Sequence, residues 1–140
     1  EFMRLIPTHI IYFPGVVDFI KRLKDKKIPL VVVSGALRAE VMSCLKMGGL
    51  DVYFDFMVTA NDVTHSKPHP ESYTQAFTLL KEKNPTLEKN QSWALEDSGA
   101  GIQSAKRAGL KTIGITNSLK AKDLREANHV IQAYDEITLL

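Results

Sequence analysis

Within "SWALEDSGAGIQSAKRAG", residues 92–109, two carboxylates stand side by side where an apolar run meets a glycine turn. Glu96 and Asp97 follow Trp93, Ala94 and Leu95, and Gly99 and Gly101 come after them. Adjacent acids at a strand end repel each other and gain nothing from burial, so a cation is needed to relieve them. Two oxygen donors there suit a hard divalent ion such as Mg²⁺, which takes a few carboxylates and completes its shell with water and substrate phosphate. A structural role competes, since Asp97 or Ser98 can cap a helix beginning near Gly99. Capping accounts for one acid and leaves Glu96 unexplained.

Two other positions carry chemistry of the opposite sign. Ser34 in "VVVSGALR" ends an apolar run just before Gly35, so its hydroxyl and the following backbone N–H groups can surround an anion. It can equally serve as a cap for the next helix. Lys67 in "HSKPHPESY" lies in a segment stiffened by Pro68 and Pro70. Such a lysine is either a fixed positive charge for a phosphate or carboxylate, or an ordinary solvated side chain. His65 and His69 flank it. On a proline-broken loop they share no helix face, and a zinc site is not expected there.

The elements that position these residues alternate in type. "IPLVVVSG" (28–35) is a continuous β-branched run, as in a parallel strand buried on both faces. "LRAEVMSCLKMGGL" has helical spacing at Val41, Cys44 and Leu45 and closes at Gly48 and Gly49. "DFMVTAN" reads as a short strand, and "HPESYTQAFTLLKEK" as a helix opening at Pro70 and Glu71. "SWALED" and "KTIGIT" read as strands around the helix "GIQSAKRAG", and "KAKDLREA" as a further helix before the apolar "HVIQA". Alternating strands and helices predict a three-layer αβα, Rossmann-like parallel sheet. Ligands in such sheets sit beyond the carboxyl ends of the strands. Ser34, the Asn61–Asp62 pair and Glu96–Asp97 all fall at or just after such ends, so three polar clusters converge on one edge.

Composition narrows the class. With 140 residues, 44% hydrophobic and 24% charged, the chain suits one globular domain. A net charge of +2 is too small to argue for nucleic acid or an anionic membrane as the main partner, and neither is expected. Cys44 is the sole cysteine, which excludes an internal disulfide and reads as a packing residue. No apolar run approaches the roughly 20 residues of a membrane span, and no secretory pattern is present, so the expected compartment is the cytoplasm. Glu1 and Phe2 match what a common cloning site encodes and are set aside.

Taken in order, "PLVVVSGALR", "KPHPESY" and "LEDSGAGIQSAKRAG" followed by "KTIGITN" resemble the second, third and fourth motifs of the haloacid dehalogenase-like hydrolases. The resemblance is to the branch of beta-phosphoglucomutase and sugar-phosphate phosphatases, and it runs from Pro14 to the C-terminus. It implies that Ser34, with Gly35, binds the transferring phosphoryl group and that Lys67 neutralises it. It also implies that Asp97 binds Mg²⁺, with Glu96 as a direct or water-mediated ligand. The family's first motif is an Asp-x-Asp at the end of the first core strand, whose first Asp attacks phosphorus. This chain has none: the acids before Ser34 are Glu1, Asp18 and Asp25.

On that reading residues 14–140 are a partial core and the cap domain is absent. Residues 1–13 are then a cap-to-core linker, or a strand ("THIIYF") that fills the slot of the missing one. A companion fragment or a domain-swapped oligomer can also supply that strand. The expected function is part of a Mg²⁺-dependent phosphatase or phosphomutase acting on a small phosphorylated metabolite through an aspartyl-phosphate. Alone, the chain is expected to be inactive. The alternative is a non-catalytic protein that binds a phosphorylated ligand or a partner. A receiver-like or flavodoxin-like domain shares the fold class but has no use for "KPHPE" ahead of the acidic pair.

Overall fold

The computed structural model describes the backbone of residues 3–6 and 9–12, and residues 15–116 and 124–137 in full. The elements are β1 (Met3–Ile6), β2 (His9–Tyr12), α1 (Val16–Asp25), β3 (Val31–Val33), α2 (Arg38–Met47), β4 (Phe56–Val58), α3 (Glu71–Lys83), β5 (Trp93–Glu96), α4 (Gly99–Arg107), β6 (Lys111–Ile115) and β7 (His129–Ile131). The alternation read from the sequence is present, as an α/β fold with parallel strands. Of the helix predicted over 120–127, residues 120–123 lie outside the described residues, and 125–127 are turn and bend. No helix among the described residues is long and apolar enough to cross a membrane.

The parallel strands form two sheets rather than one. β3 pairs with β4 in register Val32↔Met57, and β5, β6 and β7 follow one another with Leu95↔Ile113 and Gly114↔Val130 in register. Among the described residues β3 and β5 each have a strand partner on one side only. The stretch offered for the empty slot is otherwise engaged, since His9–Tyr12 pairs antiparallel with Met3–Ile6.

Helices hold the two sheets together. On one face Val16, Phe19, Ile20 and Leu23 of α1 and Val41, Cys44 and Leu45 of α2 share a core with Val32 of β3, Met57 of β4, Ile113 and Ile115 of β6 and Ile131 of β7. On the other face Tyr73 of α3 and Ala105 of α4 pack on Ala94 of β5 and Val33 of β3. Each core draws side chains from both sheets, so apolar packing spans the break that backbone hydrogen bonds do not. Val31 and Val33 of β3, like Trp93 and Leu95 of β5, are only half-buried, as befits strands with one open edge.

A candidate phosphate and cation site at the strand ends

The loop after β3 turns on Ser34. Its N–H donates to Val58 O at 2.9 Å, and its Oγ accepts from Ala36 N–H at 3.1 Å. The helix starts later than a serine cap requires: Leu37 is the N-cap of α2, and its N–H donates to the carboxylate of Glu40 at 3.1 Å. Ser34 therefore does not cap α2. Gly35, beside it, has open space where a Cβ would lie, so a ligand can approach the backbone there.

The Asn61–Asp62 pair braces this loop. Asn61 Oδ1 accepts from Arg38 N–H at 2.8 Å. Asp62 Oδ2 accepts from Arg38 Nη2 at 2.5 Å and from Thr59 N–H at 2.8 Å. Burial alone would raise the Asp62 carboxyl, but the Thr59 and Arg38 donors outweigh it and hold the group below its ordinary value. These two residues fasten the start of α2 to the end of β4.

Lys67 reaches across the break in the sheet. Its ammonium donates to Val33 O at 3.0 Å, at the end of β3, and to Glu96 Oε1 at the end of β5. The same Glu96 oxygen accepts from Tyr73 Oη at 2.5 Å. Lys67 Nζ also lies 5.0 Å from the centre of the Tyr73 ring, a cation–π distance. Burial first, and the neighbouring Glu96 charge second, push the Tyr73 phenol well above its ordinary range. Glu96 is 6% exposed and Asp97 7%. Such burial of charge is tolerable only with partners of this kind.

The loop that carries Lys67 is held from α4. Arg107 Nη1 donates to Pro68 O at 3.1 Å, and Ser104 Oγ to His69 O at 2.7 Å. The Lys67–Pro68 peptide is cis. On the far side of the acids, Ser98 is the N-cap of α4, its Oγ accepting from Gly101 N–H at 3.1 Å. Ser98 thus provides a side-chain cap for α4, and Glu96 is engaged elsewhere, by Lys67 and Tyr73. Gly101 lies so close to Glu96 that a Cβ there would stand 2.1 Å from Oε2.

The structure brings Ser34, Lys67, Glu96 and Asp97 to one edge of the fold. It also adds what the residue pattern did not show. Tyr73, a buried residue of α3, donates to Glu96, and Gly101 is the space into which that carboxylate folds. A buried tyrosine hydroxyl needs an acceptor, and this was the available signal for Tyr73. The relief of the adjacent acids in this state is Lys67, which binds one of them. Glu96 and Asp97 still present the all-oxygen donor set that a hard divalent cation prefers. Lys67 shares Glu96 with any such ion.

Residues 3–115 match the haloacid dehalogenase-like hydrolase family. Among curated proteins, the chain is 33% identical over 123 residues to the validoxylamine A 7'-phosphate phosphatase of Streptomyces hygroscopicus subsp. limoneus, covering 88% of this chain and 55% of that one. It is 35% identical over 119 residues to the phosphorylated carbohydrates phosphatase of Thermotoga maritima, covering 84% and 53%. The chain spans about half the length of these curated relatives. The crystal structure of beta-phosphoglucomutase from Clostridium difficile shares the fold, with a TM-score of 0.72 and 23% identity, over 91% of this chain and 53% of that one.

Proposed function

The chain belongs to the haloacid dehalogenase-like hydrolases, and we propose on that footing that its strand-end cluster is the phosphate- and Mg²⁺-binding part of a phosphatase or phosphomutase. The substrate class is a small phosphorylated metabolite, the chemistry named for its curated relatives. One observation carries the reading: Lys67 ties the end of β3 to the end of β5, so that a hydroxyl, an ammonium and two carboxylates share one edge.

In this proposal Ser34 Oγ and the Gly35 N–H donate to phosphoryl oxygens, and the ammonium of Lys67 neutralises charge that builds there during transfer. Tyr73 keeps Glu96 oriented by donating to Oε1, and Glu96 and Asp97 hold the cation. Bound Mg²⁺ supplies charge neutralisation and orientation for the phosphoryl group. The attacking carboxylate comes from outside these residues. Asp18 and Asp25 belong to α1, away from the strand ends. We propose that a strand from a companion segment pairs with the single-sided edges of β3 and β5 and delivers it. The absence of an Asp-x-Asp in the 140 residues also favours a second reading, a non-catalytic binder of a phosphorylated ligand.

Turnover of p-nitrophenyl phosphate and of sugar phosphates with MgCl₂ tests the choice, for the 140 residues alone and for the product of the full gene. The proposal expects no turnover from the first and EDTA-sensitive turnover from the second. Turnover by the 140 residues alone refutes the assignment of the nucleophile. Tight phosphate binding without turnover by the full product establishes the binder instead. In Mg²⁺ titrations Asp97→Asn is expected to weaken binding more than Glu96→Gln, and equal effects would reverse the assignment of the nearer ligand.

A further inference from the structure

The loop between β4 and α3 gathers a second donor set, His65, His69 and Glu71. The imidazoles of His65 and His69 stack with centroids 4.5 Å apart and planes 21° from parallel. His65 Nδ1–H donates to Glu71 Oε1 at 2.9 Å. One donor atom from each of the three residues lies within 4.8 Å of the other two. The proline-broken loop, which argued against a shared face, instead folds the two histidines back over the first residue of α3.

We propose that His65, His69 and Glu71 form a site for a transition-metal ion of the zinc class. Two imidazoles and one carboxylate are a borderline donor set, suited to Zn²⁺ and unlike the all-oxygen pair at Glu96 and Asp97. Two donors each about 2.1 Å from a common ion, at angles of about 90–110°, stand about 3.0–3.4 Å apart. The 2.9 Å between His65 Nδ1 and Glu71 Oε1 is already close to that separation. An ion bound at Nδ1 takes the place of the proton shared with Glu71, and that proton moves to Nε2, the other tautomer of the neutral ring. His69 Nδ1 accepts from Glu71 N–H at 3.1 Å, so its lone pair faces the same residue. Its exposed ring has to turn out of the stack and move inward by about 1.5 Å, from the 4.8 Å limit to the spacing two ligands need.

The frame around the three side chains is fixed beforehand. Glu71 Oε2 accepts from Thr64 N–H at 2.6 Å and Oε1 from His65 N–H at 3.3 Å. Those two bonds latch the loop without help from either imidazole, so loop closure does not account for the rings. Ser104 Oγ and the Ser66 carbonyl hold the backbone of His69, at 2.7 Å and 3.0 Å. Three protein ligands leave a fourth position to water.

The test is Zn²⁺ titration of the chain against a chromophoric chelator, with excess MgCl₂ present to saturate any hard-cation site. One equivalent is expected to bind, and Co²⁺ in its place should give the visible absorption of a low-coordinate ion. His65→Ala and His69→Ala should each weaken Zn²⁺ binding about tenfold or more, while Glu96→Gln and His129→Ala should leave it unchanged. Both histidines are exposed, so these variants keep the fold. Failure of the intact chain to bind Zn²⁺ would overturn the proposal. So would affinity that survives both histidine substitutions, which would place the ion at Cys44 or His129.

Discussion

Gly101→Ala should destabilise this protein although it replaces glycine by alanine inside a helix. The ordinary expectation is a gain of about 0.5–1 kcal/mol, from the lower entropy of alanine in the unfolded chain. Here the added methyl would stand 2.1 Å from Glu96 Oε2 and 2.2 Å from its Cδ. Backbone cannot yield easily at this point, because Gly101 N–H is committed to Ser98 Oγ. The carboxylate must therefore swing away, and in doing so it leaves Lys67 and Tyr73. A hydrogen bond to a charged group contributes about 1.5–3 kcal/mol, and water replaces part of what is lost. Losing two such bonds in part, less the helix gain, gives a net destabilisation of about 2–4 kcal/mol. In a chain of this size that lowers Tm by roughly 10 °C, measurable by circular dichroism or calorimetry. The double-mutant comparison is sharper. In a Glu96→Ala background the obstruction is gone, and Gly101→Ala should stabilise by about 0.5–1 kcal/mol. A Gly101→Ala protein as stable as the parent would refute the close approach on which the geometry of Glu96 rests.

Tyr73→Phe should flatten the alkaline side of the stability curve. The folded phenol titrates above its unfolded value near pH 10. Its contribution is thus complete below about pH 10 and lost as pH rises through the folded value. Urea midpoints from pH 8 to 11 should converge between parent and variant as pH increases, and parallel curves would show that Tyr73 does not donate to Glu96. Ser98→Ala should cost about 1 kcal/mol through loss of the α4 cap. An unchanged urea midpoint for that variant would return the capping role to Asp97.

Element types were legible in the sequence because each has a strong local cause. The β-branched run at 31–33, the glycines after α2 and the prolines before α3 leave little choice. The polar edge was legible for the same reason, since residues at strand ends are placed by topology alone. Side-chain pairing was not. The separation of Lys67 from Glu96 by 29 positions is closed only when α3 and α4 pack on the same face of β5. Tyr73 lies on α3 at helical spacing with Ala76 and reads as core, and it is core. Its hydroxyl alone departs from that role. The stacking of His65 on His69 was not legible for a related reason. Spacing along a helix face was the wrong measure for a segment that turns back on itself.

The single-sided edges of β3 and β5 explain why the site has the form it does. In a continuous sheet, a strand between them would separate the end of β3 from the end of β5 by two strand spacings, about 10 Å. A single ammonium, Lys67 Nζ, meets both ends, donating to Val33 O and to the Glu96 carboxylate that extends from β5. It sits on a loop fixed from α4 rather than on either strand. A strand pairing there, as proposed above, would meet a carboxyl-end edge with Ser34 on one side and Glu96–Asp97 on the other. An acid at the end of that strand would arrive beside two carboxylates already buried, and repulsion would oppose its entry. Mg²⁺ should accordingly tighten the association of such a strand, because the cation and the third carboxylate each make the other's binding more favourable.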